Sequence, residues 1–337
     1  MITPSSLNKI LVVKPSALGD IVHSLPFLAA VAQGCPGAEI HWVVARGLRA
    51  FLDGHPLIHR LWTIDKDQWK RWSRLPETVR DIAGLWSGLR REGFDVAVDL
   101  SGILRSGLIA WASGAPARLG FAESDEGSPL FYTHTIHGDM RIHAVDRYLK
   151  LAAALGCDTG RVAFPFAPYD PDPPICRNLP KEFAVIAPSA GKEANRWPAE
   201  NFGHLAARLP MASVVVGGGS EVALAERVVG LSQGKAMSVA GKTGLKELVA
   251  LIAKARFFVS NDTGPLHVAA GLNVPVVAIF GPANPARTGP YGPGHLVIRD
   301  ELPCSPCYRW KPCEDWRCME QITPERVWTA IQARFFS

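Results

Sequence analysis

The stretch FFVSNDTGPLHVAAGLNVPVVAIFGP, residues 257–282, decides how the chain is read. Residues 257–259 are a short apolar run of the kind buried in parallel sheets. A polar turn follows over 260–264. The pattern then predicts a small-residue helix over 265–271 and a second apolar strand over 274–280. This strand–turn–helix–strand unit carries the chemistry of an anion site in its turn. Gly264 permits close backbone approach, and Pro265 suits the first helical position, where no N–H is needed. The free N–H groups and dipole at that helix start favour a phosphate. Thr263 adds a hydroxyl, and His267 falls on the first helical turn. Asp262 would repel phosphate, so a ribose hydroxyl or a backbone N–H suits it better. A plain helix cap also accounts for it.

The unit has companions upstream. A strand at 183–187 opens onto PSAGKEANRWP (188–198), a loop bearing Gly191, Lys192 and Arg196 ahead of a helix at 199–208. Such a loop at the carboxyl edge of a sheet can neutralise a diphosphate. It is not a Walker motif. A strand at 214–216 runs into Gly217-Gly218-Gly219-Ser220-Glu221. Three glycines there imply close backbone approach. Glu221 suits a hydrogen bond to a base or ribose, with helix capping as the alternative. A helix over 245–253 precedes the opening stretch.

The first half repeats the pattern. KILVV (9–13) reads as a buried strand and leads into KPSALGD (14–20), with a helix from about 21 to 33. No G-x-G-x-x-G is present, so there is no dinucleotide fingerprint. Asp20 sits at the carboxyl crevice where open α/β sheets bind ligands, with His23 one turn on. A catalytic base fits Asp20, and so does an N-cap followed by a solvent-facing histidine. Further strands are predicted at 38–45 and 94–100, the second ending in Ser101-Gly102 and a helix carrying Arg105. Residues 118–121 read as an edge strand, 123–138 as loop and 143–155 as helix. The tail at 323–336 reads as a helix capped by Thr323 with Pro324 at its first position.

Residues 60–91 hold Trp62, Trp69, Trp72 and Trp86, and eight basic residues against four acidic ones. Basic residues interleaved with tryptophan suit a membrane interface or an anionic amphiphile. An ordinary amphipathic helix with buried tryptophan is the alternative, and it is the better reading for Trp86.

At 337 residues the chain is long enough for about two domains. A proline-rich run at 164–180 marks the boundary. The net charge of +5 fits an acidic ligand or anionic surface and does not mark a nucleic-acid binder. The first apolar run is too short for a signal peptide. The longest stretch free of Lys, Arg, Asp and Glu, 263–286, is broken by Pro265, Pro275, Pro282 and Pro285, so it reads as buried strand and loop. A cytoplasmic protein is expected. Cys35, Cys157 and Cys176 read as small core residues. Cys304, Cys307, Cys313 and Cys318 crowd into fifteen residues. A structural metal site, free or redox-labile thiols, and disulfides all remain open for them.

Taken together, KILVVKPSALGDIVHSLP, DLSGILRSG, HAVDRYLKLAAALG, NRWPAENF and FVSNDTGPLHVAAGLNVPVVAIFGP resemble the ADP-heptose:lipopolysaccharide heptosyltransferases, glycosyltransferase family 9, over residues 9–329. SALGDIVHSLP resembles the heptosyltransferase I type. The resemblance implies a GT-B fold, two Rossmann-like doubly wound α/β domains facing across a cleft. An acceptor domain would span 1–168 and a nucleotide-sugar domain 181–322, with a terminal helix (323–337) packing back across the cleft. It implies inverting transfer of heptose from ADP-heptose to Kdo–lipid A, without metal or cofactor, at the inner face of the cytoplasmic membrane. Asp20 matches the family's general base. His23 and Arg105 match positions toward the acceptor. Ser189, Lys192, Arg196, Glu221, Thr243, Asp262, Thr263, Gly264 and His267 fall to the nucleotide sugar. The family usually carries lysine two residues before the tryptophan of NRWP, where this chain has Asn195, so the diphosphate's cation falls to Lys192 or Arg196. A transferase with another heptose acceptor or nucleotide sugar, and a nucleotide-sugar epimerase, share the same layout.

Overall fold

The apolar run Lys9–Val13 forms β1, and every residue after Lys9 in it is buried, as a strand covered on both faces requires. The computed structural model describes residues 7–65 and 75–336, and the chain falls into two units, Met1–Pro168 and Tyr169–Ser337. In the first unit β1 is followed by α1 (Leu18–Gly34), β2 (Glu39–Ala45), α2 (Arg49–Leu52), β3 (Arg60–Ile64), α3 (Leu75–Glu92), β4 (Val96–Asp99), α4 (Leu104–Ala112), β5 (Ala117–Phe121), β6 (His134–Ile136) and α5 (Ala144–Ala154). The six strands pair in parallel in the order β3-β2-β1-β4-β5-β6. That is the Rossmann order, and the strand sequence reverses direction between β1 and β4.

The second unit runs β7 (Phe183–Ala187), α6 (Ala199–Arg208), β8 (Ala212–Val215), α7 (Val222–Gly230), β9 (Ala236–Ser238), α8 (Leu245–Ala253), β10 (Phe257–Asn261), α9 (Gly264–Gly271), β11 (Val276–Phe280), α10 (Pro285–Thr288), β12 (Leu296–Arg299), α11 (Arg317–Glu320) and α12 (Pro324–Phe335). Its order, β12-β11-β10-β7-β8-β9, is again all parallel and is the same topology, now reversing between β7 and β10. Its core joins Trp197, Phe202, Phe257 and Ile279 to Val327 and Ile331 of α12. Thr323 caps α12 by accepting from the Arg326 N–H.

Several expectations need correction. β5 is not an edge strand, because β6 pairs beyond it. β6 has three residues with two exposed, too short and polar to show a period. The chain here is pinned instead by Gly120, where a Cβ would stand 2.3 Å from the Tyr132 ring. Residues 60–91 divide into β3 and α3 rather than one basic helix. Arg60 lies over the Trp62 ring at 4.1 Å, and Trp86 packs against the core and edge-on to Trp111. Trp69 and Trp72 lie outside the described residues. α1 begins at Leu18, so Asp20 is in its first turn rather than ahead of it. β10 extends through Asn261, which shortens the polar turn to Asp262 and Thr263.

Candidate active site

In each unit most of the residues singled out by sequence lie at the carboxyl edge of the sheet, where the strand order reverses, while Glu221 and Thr243 follow β8 and β9. In the first unit this edge is built by the loops after β1 and β4. Trp42 Nε1 donates to the Lys14 carbonyl at 3.1 Å, and the Ala45 N–H to that of Pro15 at 2.9 Å, fixing the first loop. The second loop winds around Asp99. Its carboxylate, fully buried, accepts from the N–H groups of Ser101 (2.8 Å) and Gly102 (3.1 Å) and from the Tyr132 hydroxyl (2.7 Å). Burial pushes the Asp99 carboxyl up from the usual carboxylate range, with these hydrogen bonds pulling the other way. Gly102 has φ +67, the left-handed region that suits glycine.

Lys14, Pro15, Ser16, Asp20, Ser101, Ile103, Arg105 and Ser106 line one pocket of about 180 Å³. Asp20 and Arg105, expected as base and anion partner, are thus brought together. Asp20 Oδ2 accepts the Ala17 N–H at 3.0 Å, while Oδ1 lies 3.8 Å from Lys14 Nζ. Its side chain is 43% exposed, so it serves the helix start and still meets solvent. His23 is placed differently: it is buried, 2% exposed, and meets the His143 ring edge-on at 5.1 Å. The solvent-facing alternative for His23 is therefore set aside, and this histidine does not line the pocket.

Sequence reasoning missed Lys14. Its ammonium is buried and donates to the Tyr148 hydroxyl (2.8 Å) and the Leu100 carbonyl (3.2 Å). Burial opposes its charge, but Asp20, Tyr148 and Asp99 outweigh that and hold it above the ordinary lysine range. The available signal was a charged residue directly after each of two apolar strands, or at its end: Lys14 after β1 and Asp99 closing β4.

The second unit's edge is built by the loops after β7 and β10. Asn261, the last residue of β10, stitches them: Oδ1 accepts the Trp197 N–H at 2.9 Å, and Nδ2 donates to the Pro188 carbonyl at 2.7 Å. Ser189, Lys192 and Arg196 ride on this loop. Arg196 Nε is held by the Ala190 carbonyl (2.9 Å), and Lys192 Nζ by that of Tyr308 (3.3 Å). Thr263 is the N-cap of α9, with its hydroxyl uncommitted to capping, and Gly264 and Pro265 open the helix. Asp262 is therefore not the cap residue. It lies 3.4 Å from Asn195 Nδ2 and 3.8 Å from His267 Nε2. Asn195 is buried against Asp262, so a neutral amide faces the carboxylate where the family's cation is usual.

Glu221 Oε2 accepts the Gly218 N–H at 2.7 Å, folding the triglycine turn into the start of α7. That is the capping role. Thr243 precedes α8 on the loop whose Gly241 N–H bonds the Gly217 carbonyl (2.9 Å), so it stands beside the same turn. All seven cysteines are free thiols. Cys318 is buried, and burial together with the nearby Cys307, Cys313 and Cys304 pushes its thiol up to about 11. Among the described residues the ligand atoms within 4.8 Å of one another, three or more at a time, belong to Glu39, His41 and His59.

Chemically, the first edge offers an accessible carboxylate beside the fixed ammonium of Lys14 and in one pocket with Arg105. The second offers a helix N-terminus with a hydroxyl and the Lys192 ammonium, suited to an anion. Residues 82–315 match the model of glycosyltransferase family 9 (heptosyltransferase). Lipopolysaccharide heptosyltransferase 1 of Pseudomonas aeruginosa is 29% identical over 359 residues, covering 96% of this chain and 97% of that protein. The protein of the same name from Escherichia coli K12 is 28% identical, with 86% and 93% covered. The solved structure of E. coli heptosyltransferase WaaC with ADP matches with a TM-score of 0.78 at 23% identity, covering 97% of this chain and 99% of that one. The fold is thus the GT-B fold of those structures, the epimerase alternative is dropped, and the chain belongs to glycosyltransferase family 9, the heptosyltransferases.

Proposed function

We propose that the chain transfers heptose from ADP-heptose to the Kdo–lipid A inner core, as a heptosyltransferase of type 1, with inversion and without a metal ion. The observation that carries this reading is the shared pocket of Asp20 and Arg105, an accessible carboxylate and a guanidinium at the switch point of the first sheet. Asp20 accepts the proton of the acceptor hydroxyl as its oxygen attacks the anomeric carbon. The bond from that carbon to the diphosphate breaks, and ADP leaves with the electron pair. The N-terminus of α9, with Thr263 and Gly264, and the cation of Lys192 or Arg196 offset the charge on the leaving group. Arg105 pairs with an anionic group of the acceptor, a Kdo carboxylate or a lipid A phosphate. The name carried by both curated relatives above favours type 1 over type 2.

The acceptor is a lipid, so peripheral binding to the inner face of the cytoplasmic membrane follows from this reading. No helix among the described residues is long and apolar enough to cross a membrane. Calorimetric titration with ADP, GDP and UDP, each with and without Mg²⁺, tests the donor half. Preference for ADP that ignores Mg²⁺ is expected; preference for UDP or a strict Mg²⁺ requirement overturns it. For the acceptor half, Asp20→Asn is expected to lower kcat by about 10²–10⁴ with ADP affinity kept. Turnover close to wild type removes Asp20 as the base.

A further inference from the structure

The four clustered cysteines are not used by the transfer reaction. They sit on or beside an irregular segment, residues 300–316, that has no helix or strand of its own. Unstructured runs of that length are uncommon inside a folded unit unless something holds them. The hydrophobic core reaches this one only near its ends, through the half-buried Leu302 and Trp316. Cys304, Cys307, Tyr308, Trp310 and Pro312 are all exposed, Trp310 by 70%. Cysteine is ordinarily among the most buried residue types, so two exposed thiols in one C-x-x-C turn call for a reason other than packing.

The backbone brings the Cys304–Cys307 turn and Cys318 to the end of β11. The N–H groups of Cys307 and Tyr308 both donate to the Pro282 carbonyl, at 3.0 and 2.9 Å, and Ser305 Oγ to that of Gly281 at 2.7 Å. Cys318, on the short helix α11, comes to the same spot from the other side: a Cβ added at Gly281 would stand 3.1 Å from Cys318 Sγ. Cys304 adjoins Ser305 in that turn, and Cys313 Sγ donates to the Asp315 carbonyl at 3.1 Å on the stretch that leads into α11. No three of the thiols lie within 4.8 Å of one another, whereas a tetrahedral thiolate site with metal–sulfur bonds of about 2.3 Å needs sulfurs roughly 3.8 Å apart. Three of the four are on irregular chain, so closure requires side-chain rotation and a small loop movement.

We propose that Cys304, Cys307, Cys313 and Cys318 bind one thiophilic metal ion, zinc or iron, as a structural tetrathiolate knuckle that staples residues 300–316 to the end of β11. On binding, the four thiols release their protons to solvent and no redox change is involved. The knuckle also props the loop after β7. The Ala194 N–H donates to the Trp310 carbonyl (3.0 Å), Trp316 Nε1 to the Ala194 carbonyl (2.9 Å) and Lys192 Nζ to the Tyr308 carbonyl. Lys192 Nζ also lies 5.3 Å from the Trp310 ring. This second consequence rests on the donor-site reading given above; the metal site itself does not.

The other cluster, Glu39, His41 and His59, fits a metal less well. Trp62 Nε1 donates to His41 Nδ1 at 3.1 Å, which leaves the proton on Nε2, the nitrogen facing Glu39.

The test is elemental analysis of the full chain purified without a metal-affinity tag, alongside titration of its thiols before and after a chelator. About one zinc or iron per chain is expected, with the four clustered thiols shielded until the metal is removed. Cys304→Ser/Cys307→Ser is expected to abolish the metal, and His59→Ala to leave it in place. Stripping the metal is expected to weaken ADP binding about tenfold, the cost of ordering the donor loop again. Unchanged ADP affinity once a bound metal has been stripped removes only the link to the donor loop. The metal site is overturned by three results: thiols that react freely and take up neither Zn²⁺ nor Fe²⁺; metal retained by the double variant; or a mass lower by two hydrogens per bridge, which means disulfides. Where the double variant does not fold, the wild-type metal content and thiol titration decide alone.

Discussion

Asn261→Ala separates the stitching of the second unit's edge from the rest of the fold. Asn261 is fully buried at the end of β10, and its side chain makes the two hydrogen bonds that hold the loop after β7. Alanine removes both and leaves the Trp197 N–H and the Pro188 carbonyl without those partners. Both residues are buried. Each orphaned buried group costs about 1–3 kcal/mol, so the pair is worth about 2–6 kcal/mol, with about 3 expected once water reaches one of them. Asn261→Asp should be no milder, because it sets a carboxylate oxygen against the Pro188 carbonyl oxygen. Urea unfolding reads the global loss as a lower midpoint with unchanged slope. Hydrogen exchange of the peptide spanning 184–199 reads the local one. Because Ser189, Lys192 and Arg196 ride on that loop, ADP affinity should fall about tenfold as well. A midpoint shift worth under about 1 kcal/mol together with unchanged exchange in 184–199 refutes the reasoning, since the loop would then be held by something other than Asn261.

Two further outcomes follow from the first unit. His41 is buried with its pKa lowered from 6.5 to about 4, chiefly by burial. The unfolded chain therefore takes up a proton that the folded chain refuses as pH falls from about 6.5 to 4, and stability drops across that window by up to about 3 kcal/mol. His41→Gln keeps an acceptor for Trp62 and removes the titration, so the difference between variant and wild-type stability measured by denaturant unfolding at pH 7 and pH 4.5 should expose this slope; equal slopes refute it. Gly120→Ala pushes a methyl against the Tyr132 ring, whose hydroxyl is tied to Asp99. About 1–3 kcal/mol of stability is expected to be lost, with kcat/KM falling too as the loop after β4 shifts. A midpoint and activity equal to wild type would mean that the ring moves aside without consequence.

The sequence was sufficient for the architecture because buried parallel strands announce themselves. KILVV, FAVIA and VVAIF are continuous apolar runs, and each is followed by a polar or glycine-bearing loop and a helix. The short, partly polar strands β3, β6 and β9 carry no such run. They are strands because a paired neighbour is already there to bond them, which is a tertiary cause. The same distinction explains the misread edge at β5: nothing in HTI marks a strand, and only pairing to Leu119–Phe121 makes it one.

The site divides along the same line. Residue types and spacing alone marked Asp20 and the turn at Asp262–Gly264 as candidates and showed both halves to be repeated α/β units, because these are local signals carried by neighbours in the chain. Which side chains share a pocket was decided only by the tertiary structure. Lys14 meets Tyr148 across 134 positions and Asn195 meets Asp262 across 67, contacts set by sheet order rather than by anything adjacent in sequence. Burial likewise turned His23 away from the pocket. Periodicity can say that a residue is near a strand end; only the closed sheet fixes which neighbours compete for its hydrogen bonds.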